Sequence, residues 1–135
     1  MPDTDMASTG EVATLIGLDP TRVAKIAQLI PPMRSGNGRG TRALYSAANI
    51  LEVQIVDRLW SFGLPHRTIR AAMNKLRDSN MHWLEQENAW LVIIDAERWM
   101  AGNSLIHIIR SFNHPSAFLV IDIGQMRKYN KFREL

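Results

Sequence analysis

Thr21, Arg22, Lys25 and Gln28 come together on one face if the chain from Pro20 to Ile30 is helical. At about 100° per residue they span roughly −20° to 100°, while Ile26, Ile30, Val23 and Ala27 gather between about 140° and 240°. A hydroxyl, a guanidinium, an ammonium and a carboxamide on one face can contact phosphates and the donor and acceptor edges of base pairs in a major groove. No acid interrupts that face. A second group follows in GNGRGTRALYS, residues 36–46, where Arg39 and Arg42 stand among glycines, with Arg34 just ahead. Gly36-Asn37-Gly38 is turn chemistry, and the flanking segments can pair as a hairpin whose arginines lie on a sugar-phosphate backbone. Thr41, Ala43 and Tyr45 alternate with Arg42 and Leu44, so one side of the outgoing strand can pack. The alternatives are a merely solvated helical face and a Gly-Arg loop that binds nothing.

The elements that must position these residues can be read from their punctuation. Ser8 and Glu11 have capping-box spacing ahead of Val12, Ala13, Leu15 and Ile16, and Gly17 stops that short helix. Asp19-Pro20 is an N-cap followed by a first-turn proline, opening a second helix that must end before Pro31-Pro32. Two short helices joined so tightly predict a helix-turn-helix, although a helical hairpin in any α domain has the same pattern. Ser46 caps a third helix carrying Ile50, Val53, Ile55, Val56, Leu59, Trp60 and Phe62, and Gly63 ends it. Pro65 starts a fourth, with Ile69, Ala72, Met73 and Leu76 inward and Arg67, Arg70 and Lys75 outward. The aromatics and methionines of these helices are expected in the core.

Charge agrees with a polyanion as partner. Residues 20–77 hold ten Lys and Arg against two acids, Glu52 and Asp57, within a chain of 135 residues whose net charge is only +3. Each Lys or Arg set on a phosphate releases condensed counterions, so a basic block beside an acidic remainder suits nucleic acid. The absence of cysteine removes disulfides, thiolate metal sites and a cysteine nucleophile. His66, His82, His107 and His114 lack close metal-ligand spacing, and no nucleophile stands with a base partner. No enzyme, metal or cofactor is therefore expected. A polar, acidic start and no apolar run long enough for a bilayer predict a cytoplasmic, nucleoid-associated protein without a membrane partner.

The segments TGEVATLIGLDPTRV, GTRALYS and IVDRLWSFGLPHRTIRAAM resemble the first two helices, the wing exit and the third and fourth helices of the MerR family of bacterial transcription regulators. The resemblance covers about residues 8–77. It implies a winged helix-turn-helix whose second helix enters the major groove while the wing lies on the backbone, with double-stranded DNA as partner. Its site residues would be Thr21, Arg22, Lys25, Gln28, Arg34, Arg39, Arg42 and Tyr45, and RNA polymerase is a candidate protein partner. The chain departs from the family in having AKIAQ where an aromatic-rich stretch is usual, one extra residue between Arg42 and Tyr45, and no long coiled-coil helix.

Beyond residue 81 the pattern changes. AWLVIID and AFLVIDI read as strands, LIHII as a strand or part of a helix, and QMRKYNKFREL after Gly124 as a basic amphipathic helix. So small a unit needs something to pack on, and residues 81–135 are expected to form a homodimer through a sheet edge. Trp83, Trp90 and Trp99 are expected in the core or interface rather than around a ligand. The expected fold is α+β: a four-helix winged helix-turn-helix with a β-hairpin over 1–78, a linker over 79–87, and a small strand and helix unit over 88–135. The reading is a sequence-specific regulator; a phage or plasmid architectural protein of excisionase type and a protein-interaction adaptor are the alternatives.

Overall fold

A computed structural model describes residues 6–30, 43–78, 83–112 and 118–133. Among them the fold is α+β, with six α-helices and a three-stranded antiparallel sheet. The helices are α1 (Thr9–Ile16), α2 (Pro20–Leu29), α3 (Ala47–Ser61), α4 (His66–Asp78), α5 (Leu105–Ser111) and α6 (Ile123–Arg133). The strands are β1 (Trp90–Ile93), β2 (Trp99–Gly102) and β3 (Leu119–Asp122), and a 3-10 turn spans Trp83–Glu85. The chain divides into two compact units, Met1–Ser61 and Phe62–Leu135.

In the first unit, local chemistry sets both ends of α1 and the starts of α2 and α3. Ser8 Oγ accepts from the Glu11 N–H while the Glu11 carboxylate accepts from the Ser8 N–H, closing a capping box on α1. Gly17 ends that helix at φ 73°, a left-handed conformation open to glycine at little cost, and its N–H bonds the Ala13 carbonyl. Asp19 then accepts from the Thr21 N–H at 2.8 Å and Pro20 takes the first helical position of α2. At α3, Ser46 and Asn49 cap each other reciprocally, each backbone N–H donating to the other's side chain. Val12, Val23, Ile26, Ile55, Val56 and Leu59 are fully buried.

Tyr45 joins that core at 1% exposure. Its N–H and carbonyl exchange two hydrogen bonds with Ala7, at 2.8 and 2.9 Å, an isolated antiparallel bridge that ties the start of the unit to the entrance of α3. Thr9 Oγ1 donates to the phenol oxygen at 3.3 Å, so the polar end of the ring has a partner where the rest is out of water.

The second unit is built on β1, the middle strand of the order β2-β1-β3. Leu91, Val92 and Ile93 are all buried, because alternate residues face opposite sides and both sides are covered. Gly102 opposes Trp90 across the β1–β2 ladder, and a methyl at Gly102 would meet Ile108 of α5 at 3.0 Å, so α5 packs closely on that side. Leu91 pairs with Ala101 on the opposite face, beside Ala72 and Leu76 of α4. Thr68 donates to the Ala96 carbonyl at 3.2 Å, and the Lys75 ammonium lies 5.1 Å over the Trp99 ring. These contacts explain why α4, read from sequence as the last helix of a part ending at 78, groups with the sheet, while the compact units divide after Ser61.

LIHII is helical, capped by Ser104, and the third strand comes instead from WMAG. What pairs WMAG with β1 is its turn: the Asp95 carboxylate accepts from the Glu97 and Arg98 N–H groups and from Arg98 Nε. These bonds hold Asp95 below the usual carboxylate range, the Glu97 N–H contributing most. Residues 83–87, read as linker, are packed: Leu84 is buried and α6 rests on the 3-10 turn. Gly124 allows this approach, since a side chain there would start 1.9 Å from the Glu87 carbonyl oxygen. Phe62, expected in the core with its helix, is 66% exposed; it follows the last helical residue, at the turn leading to Gly63.

Candidate nucleic-acid interface

α1 and α2 pack on each other, joined by Gly17, Leu18 and Asp19, and α2 packs in turn on α3. Val23, Ile26 and Leu29 hold α2 against this bed, so its opposite side is turned to solvent. Beyond the first residue, Pro20, the exposed residues of α2 are Thr21, Ala24, Lys25 and Gln28, a strip about 100° wide running along the helix. Three of the four polar residues read from the sequence as a contact face therefore stand on it: Thr21, Lys25 and Gln28. Ala24 completes the strip; a small apolar side chain among polar ones sends no signal in the sequence, although a methyl can meet a thymine methyl in a groove.

Arg22 is placed differently. Its Nε donates to Asp57 Oδ1 of α3 at 2.5 Å, a second guanidinium nitrogen donates to Ser61 Oγ at 3.2 Å, and the guanidinium carbon lies 4.7 Å from the centre of the Trp60 ring. Asp57, Trp60 and Ser61 follow one another at i, i+3 and i+4, which stacks them along one side of α3. Arg22 is thus a strut between α2 and α3. The signal was present in the sequence: Asp57 is one of only two acids in the basic block. The other, Glu52, is 3% exposed and accepts from Asn49 Nδ2 at 2.8 Å. Both acids of the block are thus engaged inside the fold, and among the described residues no carboxylate forms an ion pair with Lys25 on the exposed side of α2.

Tyr45, expected at the interface, lies in the core instead; its ring is enclosed and its hydroxyl is bonded to Thr9, so it anchors the chain rather than meeting a ligand. Arg34, Arg39 and Arg42, with the expected hairpin, lie outside the described residues. On α4, Arg67, Arg70 and Lys75 are exposed and Ile69, Ala72, Met73 and Leu76 buried, as the spacing predicts. Among the described residues no group of three or more His, Asp or Glu side chains is arranged to hold a metal, and no helix is long and apolar enough to cross a membrane.

No family profile matches the chain. It is 39% identical over 54 residues to uncharacterised HTH-type transcriptional regulators of Mycobacterium bovis and of two strains of Mycobacterium tuberculosis. The match covers 40% of this chain and 24% of each relative's length. Over those 54 residues the chain is similar to proteins named as HTH-type transcriptional regulators.

Proposed function

We propose that the protein is a sequence-specific regulator that binds double-stranded DNA through a MerR-like winged helix-turn-helix, with α2 in the major groove. The observation that carries this reading is the exposed strip of α2, which presents Thr21, Ala24, Lys25 and Gln28 while Arg22 braces the helix from behind. Lys25 and Gln28 are matched to base edges and Thr21 to a phosphate. Arg34, Arg39 and Arg42 add contacts to the sugar-phosphate backbone. Binding, rather than catalysis, is the activity proposed, and the C-terminal unit pairs two copies so that half-site contacts reinforce each other. The partial likeness to HTH-type transcriptional regulators supports the same reading.

Selection of bound duplexes from a random pool, followed by fluorescence anisotropy on the enriched and a scrambled duplex, tests it. The expected outcome is one enriched motif bound at least 10³-fold more tightly than the scramble, in the usual range for specific recognition. Equal binding to both would favour the architectural alternative. No binding to any duplex at low salt would favour the adaptor.

A further inference from the structure

The second unit contains a half-open cavity of about 310 Å³ that the DNA-binding reading does not use. Trp83, Trp99, Leu91 and Ala101 line it, and Lys75 and Asp78 of α4 stand at its wall. Leu91 is fully buried and forms a floor, whereas both tryptophans keep part of their surface in solvent. Sequence alone expected Trp83, Trp90 and Trp99 in the core or an interface; two of the three are brought together around open space, and Trp90, first residue of β1, is not among the lining residues. Apolar and aromatic walls with a few convergent polar groups characterise small-molecule pockets, and this volume stands at the small end of their range of about 300 to 1,000 Å³.

The charge in the wall selects the ligand. The Lys75 ammonium lies 5.1 Å over the Trp99 ring, where the ring's negative face holds it beside the apolar lining. Among the described residues no carboxylate forms an ion pair with Lys75. A ring stacked against the tryptophans and carrying a carboxylate on a short arm would place that anion next to the ammonium. Asp78, three residues on, stands one turn further along α4 and disfavours a second negative group. We propose that this cavity is a binding site for a small planar aromatic carboxylate of one or two rings. Every residue in the site belongs to the second unit, so the site does not depend on the DNA-binding reading.

Indole-3-acetate is a suitable probe, with indole and tryptamine as uncharged and cationic controls, titrated into the full chain by calorimetry and followed by the four indole N–H signals in NMR. The expected result is saturable one-to-one binding of indole-3-acetate, at least tenfold tighter than either control, with the Trp83 and Trp99 signals shifting and those of Trp60 and Trp90 staying in place. Lys75→Gln, at an exposed position, should remove the tenfold advantage of indole-3-acetate over indole. Ala101→Leu should fill the space and abolish binding of all three, with the NMR spectrum showing that the fold is kept. The proposal is overturned by no saturable binding to the folded protein at millimolar probe. Tighter binding of tryptamine, an unchanged advantage in Lys75→Gln, or shifts confined to Trp60 and Trp90 would overturn it equally.

Discussion

Lys25 and Arg22 are both cations on α2, three residues apart, yet their surroundings assign them different effects. Lys25 is exposed, so Lys25→Ala should leave stability within about 0.5 kcal/mol of wild type while lowering affinity for the selected duplex by about 1 to 3 kcal/mol. Arg22→Ala removes an ion pair and a cation–π contact, and should destabilise the fold by roughly 1 to 2 kcal/mol. Because α2 then loses its brace, selected and random duplexes should both bind more weakly. Thermal melts and anisotropy on the two duplexes separate the cases; a selective loss in Arg22→Ala at unchanged stability would make it a reader of bases. Asp95 offers a test by pH. Its folded carboxyl is held below its unfolded value of about 3.9, so its stabilising effect is present above that value and is lost as pH falls through the folded one. Asp95→Asn should therefore flatten the acid limb of the stability curve, and an acid limb identical to wild type would show that the turn does not contribute.

At the scale of elements, the approach of α6 to the chain between the 3-10 turn and β1 rests on Gly124. A Cβ placed 1.9 Å from a main-chain oxygen can be relieved only by moving backbone, because no flexible side chain is there to yield. Gly124→Ala should cost about 1 to 3 kcal/mol or more, read from the midpoint of a urea melt. Gly17→Ala is an instructive contrast: its Cβ would meet nothing within 4 Å, and the penalty of about 1 kcal/mol comes from the left-handed backbone alone. A Gly124→Ala variant as stable as Gly17→Ala would mean that α6 docks loosely. The basic segment between α2 and α3 is tested by salt. If Arg39 makes a single phosphate contact, Arg39→Ala should weaken specific and random binding by similar factors and reduce the slope of log affinity against log salt by about one. An unchanged slope with unchanged affinity would remove Arg39 from the interface.

For the whole molecule, assembly is the property that decides whether one binding helix suffices. With β1 in the centre, β2 and β3 are the outer strands of the sheet, and an outer strand with unpaired backbone groups is a template for a second copy. Light scattering at micromolar concentration should give twice the 15.3 kDa of one chain. Removal of the second compact unit, residues 62–135, should abolish that doubling together with tight binding to a two-half-site duplex. A full-length monomer would remove pairing from the proposed mechanism.

The sequence by itself determined what depends on neighbours within a few residues. Capping at Ser8, Asp19 and Ser46, the stops at Gly17 and Gly63, and the apolar faces of α2 and α4 are local stereochemistry and period, and each stands where its spacing placed it. Two of the three strands were legible as apolar runs: β1 because a strand covered on both faces needs no polar alternation, and β3 by its β-branched run although only Ile121 of it is buried. Tertiary structure decided what depends on partners distant in the chain. WMAG becomes a strand because β1 offers it a ladder across the Asp95 turn, LIHII becomes a helix lying on the sheet, and Tyr45 is drawn into the core by its bridge to Ala7. Arg22 belongs to the same class: its place on α2 follows from a period of 3.6, but whether its charge meets solvent or Asp57 is set by how α2 lies on α3, and no spacing within one helix contains that information.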